Sequence, residues 1–99
     1  MRLTPAQIDT IKSTATAVLG EGAQVTLFGS RVNDKLKGGD IDLLLEADHP
    51  VASKPQAIGQ IYAKLIRQLG DRKIDILIKD PNSIETAVFN IAKQHGLRL

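Results

Sequence analysis

The strongest candidates for metal binding or catalysis in this sequence are three aspartates in or next to two short apolar segments. Asp40 and Asp42 flank Ile41 at the start of the segment 41–46. Side chains alternate between the two faces of a strand, so both carboxylates are predicted to point the same way. Two close negative charges repel each other, and a divalent cation removes that repulsion. Such oxygen ligands suit Mg²⁺, which makes the pair a candidate metal site, although an isolated Asp-x-Asp is more often a turn or a solvated edge.

A third carboxylate, Asp75, interrupts the apolar segment 73–78. An unpaired charge is costly in such surroundings, and its side chain is predicted to oppose those of Ile74 and Ile76. If this strand lies beside the strand 41–46, three carboxylates converge, as two-metal phosphoryl or nucleotidyl transfer requires. The alternative is a solvent-facing residue on a half-exposed strand.

A phosphate-binding turn is predicted at Gly29-Ser30, directly after the strand candidate 24–28. Glycine permits a sharp turn and close approach of a ligand to the backbone. Free N–H groups at a following helical turn favour phosphate, and the Ser30 hydroxyl adds a donor. Arg31 is a further candidate phosphate contact, with an ordinary surface arginine as the alternative. The pair Gly29-Ser30 on its own is most often only a turn.

The elements that must position these residues follow from apolar periodicity and capping signals. A Thr4-x-x-Gln7 capping box begins a helix that ends at Gly20, and a second helix covers 53–69. With strands at 24–28, 41–46 and 73–78, the predicted order is α-β-β-α-β-α. This order indicates one small α+β domain over residues 1–99, with a mixed sheet of at least three strands and flanking helices.

Two details of this pattern concern the helix faces. The last helix is predicted to have Asp80 as its cap and Pro81 as its first residue, and to end at Gly96. Its predicted buried face consists of Ile84, Val88, Ile91 and Ala92. The predicted apolar stripe of the second helix includes Tyr62.

Composition excludes several classes of protein. The 99 residues include 13 basic and 11 acidic ones, for a net charge of +2, and three aromatic residues. Nucleic acid is therefore not favoured as a partner, because base-stacking surfaces interleave aromatic and basic residues. No cysteine is present, so disulfides and cysteine-ligated metals are excluded. No membrane-length apolar run or signal-peptide pattern occurs, and we expect a cytoplasmic protein without membrane association.

The motif resembles that of the DNA polymerase beta superfamily of nucleotidyltransferases. The resemblance rests on Gly29-Ser30, a spacer of nine residues, Asp40-x-Asp42 and the later strand residue Asp75. The short length and the final helix followed by 96–99 look like the minimal nucleotidyltransferases. The motif spans 25–46 and recurs at 73–78, and the order of elements is similar over nearly the whole chain.

This resemblance implies a polymerase-beta-like palm fold and transfer of a nucleoside monophosphate, AMP from ATP, to an acceptor hydroxyl. Asp40 and Asp42 would bind two Mg²⁺ ions. Asp75 would hold the acceptor-side metal and help to deprotonate the nucleophile. Gly29 and Ser30 would bind the β- and γ-phosphates.

The resemblance also implies a partner. Minimal nucleotidyltransferases commonly occur as antitoxins beside HEPN-domain ribonuclease toxins, and some adenylylate a tyrosine of the toxin. Two alternatives remain: an antitoxin that acts by contact alone with a vestigial site, and a subunit of a small-molecule nucleotidyltransferase of the antibiotic-modifying kind. The complete set of Asp40, Asp42 and Asp75 argues against a vestigial site. A homo- or hetero-oligomer is left open.

Overall fold

The computed structural model describes residues 3–29, 41–70, 73–84 and 86–99, without the side chain of Val88. Helices and strands follow each other in the predicted order, and one further strand follows the last helix. The elements are α1 (Pro5–Leu19), β1 (Gln24–Phe28), β2 (Ile41–Glu46), α2 (Lys54–Leu69), β3 (Ile74–Lys79), α3 (Ala87–His95) and β4 (Leu97–Arg98).

The strands form a mixed four-stranded sheet in the order β3-β2-β1-β4. β2 is antiparallel to β1 and parallel to β3, and β4 is antiparallel to β1. The parallel pair is joined through α2, as parallel neighbours require a crossover connection. The predicted small α+β fold with a mixed sheet and flanking helices is therefore confirmed, and it is consistent with a polymerase-beta-like nucleotidyltransferase.

One face of the sheet forms the main hydrophobic core with α1 and α2. Alternate residues of β2 and β3 point into it, as strand periodicity predicts. Both helices begin and end where the sequence indicates: the Thr4–Gln7 capping box is present, Ser53 caps α2, and glycines follow the last residues. The largest fully buried side chains of this cluster are Ile11, Leu19, Leu27, Ile41, Leu43, Leu45, Ile61 and Leu65.

The opposite face of the sheet is covered in part by α3. Ala92 of this helix and Leu44 of β2 are fully buried outside the main core cluster. Lys93 forms an ion pair with Glu46 of β2, with 3.5 Å between Nζ and Oε2. The sheet thus has one face packed under α1 and α2, and a second face shared between α3 and polar side chains.

The predicted start of the last helix at Asp80-Pro81 is wrong. Asp80 and Pro81 instead begin a β-turn, in which the Ser83 N–H donates to the Asp80 carbonyl at 3.0 Å. Proline is equally suited to the second position of such a turn and to the first turn of a helix, so the dipeptide does not distinguish them. The helix begins at Ala87, with Thr86 as its cap.

Three apolar residues predicted to be buried are exposed. Ile84 precedes α3 and is 83% exposed, whereas Ile91 lies within α3 and is 57% exposed. Ala92 is buried as predicted, and Val88 lies outside the described side chains. Tyr62 lies at the edge of the α2 stripe and is 42% exposed, because Ala57, Ile61, Leu65 and Leu69 form the centre of that stripe.

β4 was not predicted by the pattern, since two residues are too short to show a period. It adds to the edge of β1 through pairing of Leu97 with Leu27 and of Arg98 with Thr26. Within the described ranges, no helix is long and apolar enough to cross a bilayer.

Candidate functional site

Asp42 and Asp75 lie directly beside each other in the sheet. Each is the second residue of its strand, and they are register partners in the parallel pair β2–β3. Their strand neighbours Ile41, Leu43, Ile74 and Ile76 are buried in the main core. Because side chains alternate along a strand, both carboxylates point to the opposite face, which α3 covers only in part. The structure therefore brings together two of the three predicted acidic residues.

The backbone at Gly29 lies against the side chain of Asp42. Gly29 follows Phe28, the register partner of Asp42 on the antiparallel strand β1. It has φ of 78°, in the left-handed region that favours glycine. A Cβ atom built at this position would collide with the Asp42 carboxylate. Glycine is therefore needed here for both its conformation and its lack of a side chain, and the predicted phosphate turn begins beside the acidic pair.

The other predicted site residues, Ser30, Arg31 and Asp40, lie outside the described residues. Their roles stay predictions from the sequence. Among the residues that the structure describes, no group of three histidine or acidic side chains could hold a metal ion. Asp42 and Asp75 supply two carboxylates of the predicted three.

These two carboxylates differ in exposure. Asp75 is exposed, and it makes no hydrogen bond or ion pair with any described residue. Asp42 is half-buried between β1 and β3. The pair is thus open to a ligand from the side of Asp75.

The donor set fits a magnesium ion. Mg²⁺ prefers hard oxygen ligands and is usually held by one or two carboxylates together with water and substrate phosphates. Asp42 and Asp75 provide two such carboxylates on neighbouring strands. A further carboxylate at Asp40 would extend the same donor type.

A different acidic residue, Asp80, lies at the far end of β3 and is only 6% exposed. Its carboxylate accepts hydrogen bonds from the Val51 N–H at 2.8 Å, the Asn82 N–H at 3.0 Å and the Ser83 hydroxyl at 3.2 Å. Lys54 Nζ is 3.6 Å from the same group. These contacts join the end of β3 to the segment that leads into α2.

The pKa of Asp80 is lowered from its ordinary value. The largest cause is the hydrogen bond from the Val51 N–H, which stabilises the charged form. Burial acts in the opposite direction, whereas the Ser83 hydroxyl, the Lys54 ammonium and the Asn82 N–H lower the pKa further. Asp80 is therefore an ionised structural carboxylate whose acceptor positions are already occupied.

A cavity of about 380 Å³ lies between α1 and α2. These helices cover the face of the sheet opposite to Asp42 and Asp75, so the cavity is separate from the acidic pair. It is lined by Ala17, Val18, Gln60, Ala63, Lys64 and Arg67.

Comparison with known protein families agrees with this geometry. The family model of the nucleotidyltransferase domain matches residues 10–97. The match spans most of the chain, and this protein belongs to that family. A search of curated proteins finds no relative that matches it. The fold and the family thus define the class of protein as a nucleotidyltransferase domain, with Gly29, Asp42 and Asp75 together at one end of the sheet.

Proposed function

We propose that this nucleotidyltransferase domain transfers AMP from ATP to an acceptor hydroxyl, with Asp40, Asp42 and Asp75 holding two Mg²⁺ ions. The observation that carries the proposal is the register pairing of Asp42 with Asp75 on the open face of the sheet. Two carboxylates in this position have no role in the hydrophobic core. They are suited to hold Mg²⁺ ions, which would neutralise and orient a triphosphate.

The residues of the chain divide the chemistry between them. Asp75, the exposed member of the pair, lies where an acceptor hydroxyl can approach, and it receives the hydroxyl proton. The acceptor oxygen then bonds to the α-phosphorus while the bond to the bridging β-phosphate oxygen breaks, and pyrophosphate leaves. Bound Mg²⁺ would supply charge stabilisation for the triphosphate and for the attacking oxygen.

Gly29, Ser30 and Arg31 are proposed to bind the leaving phosphates. The backbone of Gly29 lies against Asp42, so phosphates at this turn would be adjacent to the acidic pair. Fixed N–H donors are effective there because they are already oriented before the reaction.

We further propose that the acceptor is a HEPN-domain toxin in the cytoplasm, and that the protein acts as its antitoxin by adenylylating it. The family match supports nucleotidyl transfer in general. The motif resemblance supports the partner. A docked protein would hold its hydroxyl beside the α-phosphate, and proximity would then contribute much of the rate.

Intact-mass measurement of the partner tests the proposal. The protein is incubated with a HEPN-domain partner, ATP and Mg²⁺, and the partner should gain one or more adenylyl groups. Asp42→Asn should abolish the mass shift. Asp9→Asn is the matched control, because Asp9 is an exposed aspartate of α1 and lies away from the site.

The other outcomes identify the alternatives. Neutralisation of the toxin without a mass shift, unchanged in Asp42→Asn, would identify an antitoxin that acts by contact alone. Transfer to a small hydroxyl compound, with no binding to the toxin, would identify a small-molecule nucleotidyltransferase. Either result would overturn the proposed adenylylation of a protein.

A further inference from the structure

Three observations indicate the orientation of α3 over the sheet. Ala92 is fully buried and points to the sheet. Lys93 pairs with Glu46, and the Phe89 ring centroid lies 5.9 Å from Nζ of Lys79. Glu46 and Lys79 are the last residues of β2 and β3. One flank of α3 therefore faces the carboxyl ends of these strands.

The opposite flank of α3 faces the acidic pair. Successive residues of a helix are rotated by roughly 100°, so Ile91 and Lys93 project to opposite sides when Ala92 points to the sheet. Asp42 and Asp75 lie four residues before the ends of their strands, roughly 13 Å away along the sheet. Since Lys93 points towards the strand ends, Ile91 projects to the other side of α3, which is the side of the strand starts and of these two carboxylates.

Packing in the hydrophobic core does not explain the apolar side chain of Ile91. It is 57% exposed and is absent from the hydrophobic cluster, although it lies in the middle of α3. It places a large apolar surface on the same face of the sheet as the acidic pair. Such a surface has no hydrogen-bonding groups, so it suits the apolar part of a substrate.

We infer that Ile91 is a positioning residue that contacts the nucleobase of the bound nucleoside triphosphate, an inference that rests on the proposed function. The proposed triphosphate begins at Gly29 and reaches the acidic pair at Asp42, both on this face of the sheet. The nucleoside must then extend away from the strands, where the Ile91 flank of α3 provides an apolar wall. An aliphatic wall reads no base edges, so it contributes affinity without selecting the base.

Equilibrium binding of three ligands to the full chain tests this inference: MgATP, MgGTP and magnesium tripolyphosphate. Ile91→Ala should weaken binding of both nucleotides by a similar factor of about three to ten, the effect of removing part of one apolar contact. Binding of tripolyphosphate, which lacks a nucleoside, should be unchanged. Ile91→Leu should restore nucleotide affinity. Ile84→Ala is the matched control, because Ile84 is 83% exposed and precedes α3, and it should change none of the three affinities.

Each contrary result has a separate meaning. Unchanged nucleotide affinity in Ile91→Ala, or an equal loss for tripolyphosphate, would overturn the contact with the base and leave the proposed function intact. A loss for ATP alone would show that this flank selects the base, against the inference. If the wild-type protein binds none of the three ligands, the proposed function itself fails and the inference fails with it.

Discussion

The two ends of the β2–β3 ladder carry aspartates in opposite situations. At one end, Asp42 and Asp75 are paired across the strands on the open face, and Asp75 is exposed to solvent. At the other end, Asp80 is buried and accepts hydrogen bonds from the backbone and from Ser83. Both regions are acidic, but only one leaves a carboxylate accessible to a ligand.

This difference separates the structural role of Asp80 from the ligand-binding role that we propose for Asp42 and Asp75. A carboxylate whose acceptor positions are filled by the protein stabilises the fold and cannot take up a metal without losing those bonds. A cation that binds between two carboxylates on one face of neighbouring strands offsets the repulsion between their charges. The local sequence does not show which of Asp80 and Asp75 is structural and which could bind a ligand. The hydrogen bonds of Asp80 and the exposure of Asp75 distinguish them.

Replacing Asp80 should have the largest effect on stability. Asp80→Ala leaves the Val51 and Asn82 N–H groups without their acceptor and removes the partner of Lys54. We expect the Tm to fall by roughly 15 °C, the scale for a small domain that loses several hydrogen bonds to a charged group. Thermal unfolding followed by circular dichroism measures this change.

Asp75→Ala is the matched substitution at the other end of the ladder. Asp75 is exposed and makes no hydrogen bond or ion pair with a described residue. The Tm of the Asp75→Ala variant should therefore stay within a few degrees of the wild-type value. Equal losses in the two variants would remove the distinction between a structural and a ligand-binding carboxylate.

Replacing Asp42 should have its main effect on the stabilisation of the protein by ligand. MgATP at ten times its Kd should stabilise the wild-type protein by about 1.4 kcal/mol, because it binds only the folded state. Asp42→Asn should abolish this stabilisation, because a neutral amide is a much weaker ligand for Mg²⁺ than a carboxylate. Calorimetric scans with and without MgATP provide the measurement.

The same scans of Asp80→Asn provide the contrast. This variant should melt at a lower temperature but keep most of its response to MgATP, because Asp80 lies at the far end of β3. A full MgATP response in Asp42→Asn would show that Asp42 is not a ligand.

The sequence was sufficient for the fold wherever a long periodic pattern coincided with a capping signal. α1 begins at its predicted cap, α2 begins at Lys54 directly after the predicted start at Ser53, and the alternation in β2 and β3 correctly separated Asp42 and Asp75 from the core residues. The prediction that Asp42 and Asp75 lie side by side depended on the order of the strands in the sheet. Strand order depends on long-range pairing, which no local pattern encodes.

The predictions of secondary structure and burial were wrong where one local sequence pattern is compatible with two structures. Asp80-Pro81 suits a helix start and a β-turn equally. In the folded chain the Asp80 carboxylate accepts a hydrogen bond from the distant Val51 N–H, a contact that the local sequence does not show. Ile91 continues an apolar pattern in the sequence but lies on a flank of α3 that no other element covers among the described residues. The latter error is informative, because it marks an apolar surface available to a substrate.

The smallest expected effect is a difference in acid sensitivity at Asp80. Its pKa in the folded state lies below the ordinary value of 3.8, so its ionised form contributes stability that is present above pH 3.8. As the pH falls from 3.8 through the lower folded-state pKa, the unfolded chain binds the proton first, and that contribution is lost. Asp80→Asn removes this titration, so the free energy of unfolding should depend less steeply on pH in this range than in the wild type.

Urea unfolding at several pH values between 5 and 2.5, roughly the range in which a stabilised carboxylate titrates, measures the two slopes. Ser83→Ala, which keeps the carboxylate but removes one donor, should give an intermediate slope, whereas identical slopes in all three proteins would show that Asp80 does not stabilise the fold through its charge.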